Sequence, residues 1–323
     1  MYDSSFITLN EASVENNIRF LRKKLGQRVR LSAVVKANAY GHGIEEIVPL
    51  FEKHGVDHFS VFYYDEAVRV ANVLQTEATI LIMGWISDED LPEAIRRGFE
   101  FFVFNPERLG LTASLVRQHG LRARIHLEVE TGMNRSGFNK DELPGAIALL
   151  NDNREHIALT GLCTHLAGAE SISNHFRIQR QLKKYHRILS VFAENGLSPA
   201  YRHVANSAAA FVYPGARFDL VRVGIMMYGF WSSNETFIHY LNNRANKTDP
   251  LKRILGWKTR VMSIKKIKEG EFVSYGISYL AQTDIVTALM PVGYASGYGR
   301  SLSNKGQVLI HGQLCSIIGL VNM

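Results

Sequence analysis

The chain has 323 residues, 46% of them hydrophobic and 21% charged, a size and composition that suit two folded domains and exclude a disordered or fibrous protein. No apolar run reaches the length of a membrane span, and the opening MYDSSFITLN lacks the basic flank and apolar stretch of a signal peptide. Two cysteines, Cys163 and Cys315, are too few for a disulfide framework and fit a reducing cytoplasm, while the formal net charge of +7 reads as a mild field for anionic small molecules rather than a nucleic-acid surface.

Short β-branched or aromatic runs alternate with amphipathic stretches from about residue 30 to 225. The candidate strands are LSAVVK (31–36), HFSVFY (58–63), TILIMG (79–84), FEFFVF (99–104), RARIHLEV (122–129), IALTGLCTH (157–165), YRHVA (201–205) and DLVRVGI (219–225). Helical segments such as DEAVRVANVL, PERLGLTASLVRQHG and DELPGAIALL lie between them, each opened by an acidic residue or proline. Another helix is expected in SNHFRIQRQLKKYHRILSVFAENG, with Ile178, Leu182, Tyr185, Leu189 and Phe192 on its apolar face and basic residues opposite. Eight such units predict a parallel (β/α)8 barrel. A doubly wound sheet is the alternative, but no Gly-rich dinucleotide fingerprint follows the first strand.

After Gly229 the polar stretch WSSNETFIHYLNNRANKTDP reads as a linker or excursion. Strand-and-turn patterns then follow in KTRVMSIKKI, EFVSYGISYL, DIVTALMPVGY and GQVLIHG. The expected organisation is a barrel over 10–235 and a smaller, mostly β domain over 236–323, joined by 1–9. The sequence stops inside the apolar run CSIIGLVNM, so the β domain is expected to be truncated and the chain to be a shortened form of a longer protein.

AVVKANAYGHG (33–43) places Lys36 at the end of the first barrel strand, where barrel enzymes carry reactive groups. A deprotonated lysine is a nucleophile able to condense with an aldehyde cofactor. This segment resembles, nearly residue for residue, the cofactor-lysine motif of the alanine racemase family. The resemblance implies that Lys36 holds pyridoxal 5'-phosphate and Tyr40 bonds its phosphate. It continues in order along the chain. HLEVETGMNRSGF (126–138) is similar to the segment whose arginine faces the cofactor's phenolic oxygen and the substrate carboxylate, which gives Arg135. THLA (164–167) resembles the segment whose histidine lies against the pyridine ring, His165.

HVANSAAA (203–210) matches the phosphate-binding serine segment, giving Ser207 with Asn206 beside it. RVGIMMYG (222–229) implies Arg222 at the pyridine nitrogen and the backbone of Gly224 and Ile225 at the phosphate; an ion pair of Arg222 with Asp219 is the plainer alternative. VSYGISY (273–279) implies Tyr275 as a second catalytic base, although two tyrosines on a strand also suit cross-strand packing. PVGYASGYGR implies Tyr294 as a substrate-channel residue, and GLVNM implies Met323 at the substrate carboxylate. Where the family often carries a carbamylated lysine, this chain has Glu128, which supplies the anion beside Arg135 directly. No metal is implied.

The resemblance thus implies interconversion of L- and D-alanine by two bases, Lys36 and Tyr275, supplying D-alanine for cell-wall peptidoglycan. An Arg222–His165–Tyr275 chain would lower the tyrosine's pKa. A homodimer with shared active sites is the implied partner. Rival readings are a serine or broad-specificity racemase, a barrel-type amino-acid decarboxylase of the same cofactor class, and a non-catalytic cofactor-binding protein.

Overall fold

The computed structural model describes residues 4–242 and 244–323, which divide into two compact units, 10–254 and 255–323 with the N-terminal residues up to Leu9. After β1 (Ser5–Leu9), which belongs to the second unit, come eight strands: β2 (Arg30–Val34), β3 (His58–Val61), β4 (Thr79–Ile82), β5 (Glu100–Val103), β6 (Ala123–Glu128), β7 (Ile157–Cys163), β8 (Tyr201–His203) and β9 (Leu220–Val223). They form one parallel sheet in the order β8-β7-β6-β5-β4-β3-β2-β9. Backbone bonds from Asp219 N–H to Arg202 O (3.1 Å) and from Arg222 N–H to Ala205 O (3.1 Å) draw its two ends together. With helices between the strands this is a (β/α)8 barrel, and every candidate strand of the sequence overlaps one of its members.

Local chemistry accounts for the helices. In Pro106–His119, Asn105 caps the start by accepting the Arg108 N–H at 2.9 Å, Pro106 follows, and Gly120 ends the helix at φ 62°. The helix His175–Glu194 buries Ile178, Gln181, Tyr185, Ile188 and Phe192. Its buried line therefore runs one position from the expected one at Gln181 and Ile188, with Leu182 and Leu189 half-buried at its edge. A glutamine takes the buried place because both ends of its amide are hydrogen-bonded to two loops, described below. The stretch expected as a linker contains a helix, Asn234–Leu241, capped by Ser233, whose hydroxyl accepts the Thr236 N–H at 3.1 Å. Phe20, Phe211, Trp231 and Tyr240 stack around it with ring centroids 5.0–6.4 Å apart. Residues 236–254 accordingly belong to the barrel unit rather than to the β unit where the sequence had suggested them.

The second unit holds three antiparallel pairs: β1 with β10 (Leu255–Thr259), β11 (Ser263–Ile267) with β12 (Ile285–Leu289), and β13 (Gln307–Ile310) with β14 (Gln313–Ser316). EFVSYGISYL, expected as a strand, is instead a loop with a 3-10 turn at Tyr275–Ile277, closed by one bridge between Phe272 and Leu280. Ser274, Gly276 and Ile277 have φ of 65°, 70° and 43°, which breaks the extended backbone. Tyr275 therefore sits on a turn, 73% exposed, and not in a cross-strand pair.

The barrel interior is more polar than the branched aliphatic filling usual for the fold. Leu81, Phe102 and Cys163 form an apolar cluster, while Ser32, His58, Ser60, Glu100, His126, His203 and Arg222 are all buried. Gly161 is required here, because a Cβ at this position would meet His126 Nδ1 at 2.1 Å.

Candidate active site

Lys36 stands two residues beyond the end of β2, and the four residues after it, Ala37 to Tyr40, have φ of 53–54°. Left-handed backbone costs roughly 1–2 kcal/mol for each non-glycine residue, so this turn needs support. Glu66 supplies it. One oxygen of its buried carboxylate accepts the N–H groups of Ala37 (2.6 Å) and Asn38 (3.4 Å), the other those of Phe62 (2.9 Å) and Tyr63 (3.3 Å). The ends of β2 and β3 are thereby tied to one side chain. The buried Tyr228 hydroxyl donates to Val34 O at 3.0 Å, two residues before the lysine. Burial first, and then the Arg135 charge, holds the Lys36 amine below the ordinary lysine range; Glu66 pulls it back in part, and Arg222 lowers it further.

Tyr40, Ser207 and Gly224 frame a recess. The Gly224 N–H donates to Ser207 Oγ at 3.0 Å, and a Cβ on Gly224 would meet the Tyr40 hydroxyl at 2.3 Å. Any side chain there would fill the space. Asn206 caps the helix Ser207–Val212 through Oδ1, which accepts the Ala209 N–H at 2.9 Å. Ile225 opens the turn Ile225–Tyr228 after the last barrel strand.

Arg222 is buried and donates through Nη1 to His203 Nδ1 and to His203 O (3.3 Å), and through Nη2 to Thr164 O (3.1 Å). Asp219 pairs with Arg202 at 2.7 and 2.9 Å, so the Arg222–Asp219 alternative does not form. The expected Arg222–His165 link also gives way: among the described residues Arg222 bonds His203 and reaches His165 only through its charge. Burial first, then Arg222, Arg135 and Lys36, lowers the His165 pKa to about 3, so its ring is neutral.

Arg135 stands on a loop organised by Glu130, whose carboxylate accepts the N–H groups of Gly132 and of Asn134, the latter at 2.7 Å. Arg177 donates to Gly132 O at 2.8 Å from the neighbouring helix. Gln181 joins this loop to the one carrying His165: it donates to Thr131 Oγ1 (3.2 Å) and His165 O (2.9 Å) and accepts the Ala167 N–H (2.9 Å). Glu128 is buried and accepts the Ser136 hydroxyl at 2.8 Å. Burial pushes its carboxyl up, against the Ser136 bond and the charges of Arg222 and Arg135. No ion pair joins Glu128 to Arg135 among the described residues; the two act on each other through space.

Lys36, Tyr40, Glu128, Arg135, His165, Asn206, Ser207, Arg222, Gly224 and Ile225 all line one cavity of about 900 Å³ within the barrel unit. The remaining predicted residues lie in the β unit, and there they also converge. Tyr294 N–H donates to Asn322 O at 2.9 Å, next to Met323, and Asn322 Nδ2 donates to Ser274 Oγ at 3.2 Å, next to Tyr275. A Cβ on Gly293 would meet Asn322 O at 2.1 Å, so glycine permits this approach. The Met323 side chain is 76% exposed. Sequence reasoning missed Glu66, Glu130, Gln181 and His203. The sequence signal for His203 was a polar residue at the inward phase of a buried strand; the other three have none short of the tertiary fold.

Three cations, Lys36, Arg135 and Arg222, and two carboxylates, Glu128 and Glu170, line a cavity that ends in a recess of hydroxyls and backbone N–H. That donor set fits a phosphate-bearing anionic aldehyde held on an amine, which is the class of barrel enzymes that use pyridoxal phosphate. Comparison with known proteins narrows the class. The alanine racemase N-terminal domain matches residues 9–231 and its C-terminal domain matches 254–323. The alanine racemase of Symbiobacterium thermophilum is 36% identical over 313 residues, covering 96% of this chain and 79% of the relative. That of Leptospira interrogans is 32% identical over 322 residues, covering 99% and 81%. The chain belongs to the alanine racemase family, whose members are pyridoxal-phosphate-dependent enzymes that racemise alanine. Among solved structures, alanine racemase from Streptomyces lavendulae superposes with a TM-score of 0.89 at 28% identity, covering all (100%) of this chain and 82% of that one. The enzyme from Bartonella henselae, with covalently bound pyridoxal phosphate, gives 0.84 at 27%, covering 100% and 84%. These likenesses do not favour the decarboxylase reading.

Proposed function

We propose that Lys36 carries pyridoxal phosphate in the barrel cavity, with Tyr40, Asn206, Ser207, Gly224 and Ile225 at the phosphate, Arg222 at the ring nitrogen and His165 against the ring. The observation that carries this reading is the convergence of Lys36, Arg135, Arg222 and the Tyr40–Ser207–Gly224 recess on one cavity. Bound, the cofactor supplies the electron sink that acidifies the substrate's α-hydrogen. Lys36 Nζ takes or returns that proton on one face and the Tyr275 hydroxyl does so on the other. Arg135 holds the substrate carboxylate, and Met323 and Tyr294 border the substrate. Arg222 cannot give up its proton, so it stays a donor at the position it occupies.

The active unit under this reading is a cytoplasmic homodimer in which each site takes Lys36 from one chain and Tyr275 from the other, and its product is D-alanine for peptidoglycan. The direct test is D-alanine formation from L-alanine by the purified protein, with and without added pyridoxal phosphate. We expect turnover that rises on addition, and no turnover in either arm would overturn the assignment.

Glu128 serves as the built-in anion of the Arg135 region. Its partner Ser136 lies next to Arg135 in the chain, so the carboxylate acts on the guanidinium through both charge and loop position. Glu128→Gln is expected to weaken kcat/KM by about 1–3 kcal/mol, as for loss of a charge-assisted interaction. Steady-state kinetics equal to wild type would remove Glu128 from this role. Glu128→Lys is expected to depend on bicarbonate for whatever activity remains.

A further inference from the structure

A continuous polar chain crosses the barrel interior below the cavity. Arg222 Nη1 meets His203 Nδ1; His203 Nε2 lies 2.7 Å from His126 Nδ1; His126 Nε2 lies 2.8 Å from Glu100 Oε2. Both histidines and Glu100 are fully buried. Arg124 Nη2, at a half-exposed side chain, lies 2.6 Å from the other oxygen of Glu100. His58 Nε2 approaches Glu100 Oε2 at 3.9 Å, and its Nδ1 is engaged with Ser32 Oγ at 2.9 Å. The Phe102 ring stacks on His126 with centroids 6.1 Å apart and lies 5.8 Å from the Arg222 guanidinium, closing the chain off on its apolar side.

The direction of every bond in this chain is determined. A guanidinium only donates, so His203 Nδ1 must present a lone pair. A neutral His203 then carries its proton on Nε2 and donates to His126 Nδ1. His126 likewise carries its proton on Nε2 and donates to Glu100. The chain ends on a group that must accept: a carboxylate oxygen does so whichever way it is turned, whereas an amide can present an N–H instead. Burial, the main cause, disfavours charge on both rings: it lowers the pKa of His126, against the pull of Glu100, and holds that of His203 well below the ordinary histidine range.

We propose that Glu100 is a positioning residue for catalysis: through His126 and His203 it fixes the direction of the hydrogen bonds that hold Arg222, so that Arg222 faces the cavity as an anchored donor. This rests on the reading of Arg222 as the group at the cofactor ring. The Arg124 contact sharpens the consequence. In Glu100→Gln the amide oxygen is drawn to Arg124, which leaves the amide N–H facing His126 Nε2. The whole chain then reverses, and His203 turns an N–H toward the Arg222 guanidinium, donor against donor.

Two measurements test this. A neutron crystal structure of the wild-type holoenzyme is expected to show a deuteron on Nε2 and none on Nδ1 of both His126 and His203; a deuteron on either Nδ1 overturns the proposal. That result depends on no variant and on no assay, so it separates a failure here from a failure of the racemase reading. In folded Glu100→Gln, kcat is expected to fall roughly ten- to a hundredfold, the scale of one lost charge-assisted bond, with KM for alanine within about twofold. Wild-type kcat in that variant, or a loss confined to KM, overturns it as well.

Discussion

Lys36→Ala is expected to abolish measurable racemisation, with kcat lower by roughly 10³-fold or more, because in the proposed site one side chain serves both as cofactor anchor and as one of two bases. The surroundings of Lys36 suit it to the proposed role. Burial, Arg135 and Arg222 lower its pKa, so a larger fraction of the amine is unprotonated near neutral pH than for an exposed lysine. Removing Arg135 would take away a lowering charge and shift the free-amine fraction toward higher pH. Borohydride reduction of the wild type followed by peptide mapping checks the assignment directly. The cofactor mass is expected on the peptide containing Ala33–Gly43, and its recovery on any other lysine would refute Lys36 as the anchor. The Lys36→Ala protein is expected to yield no trapped cofactor at all.

The second large effect is a gain. Lys36→Ala and Tyr275→Phe are each expected to be nearly inactive alone, since loss of a positioned base costs about 10²–10⁴-fold. If the two bases of a site come from different chains, mixing the variants restores activity without any new contact. Random subunit exchange makes roughly half of the dimers hybrid. In each hybrid one site has lost both bases and the other has kept both, so activity should recover to roughly a quarter of wild type. Mixing that recovers nothing, despite verified exchange, would place both bases on one chain and end the shared-site proposal. Lys36 and Tyr275 belong to different compact units of the chain, a division compatible with such an exchange.

The barrel was legible in the sequence because each strand announces itself locally: VVK, FSVF, ILIM and FFVF are β-branched or aromatic runs bounded by polar turns. The cavity residues were legible because the compact segments that carry them, such as AVVKANAYGHG, resemble those of the alanine racemase family. What stayed hidden depends on backbone conformation or on register. Nothing in Ser274 or Ile277 announces a positive φ, so SYGI read as a strand although it turns. Gln181 lies on the buried line of its helix because two loops need its amide, a fact that helical periodicity cannot contain. Glu100 and His126 become neighbours of His203 only once β5, β6, β7 and β8 are set side by side in register.

The Glu66 clamp has a consequence for how the protein acquires its cofactor. Four backbone N–H groups from two loops converge on one carboxylate, and every group in that arrangement belongs to the protein. The conformational entropy of the turn behind Lys36 is therefore lost when the chain folds, not when the cofactor arrives. Loading then resembles docking into a finished socket. With Lys36 in its proposed role, stripping and reloading should leave this turn ordered throughout, and affinity gained elsewhere in the cavity would not be spent on shaping it.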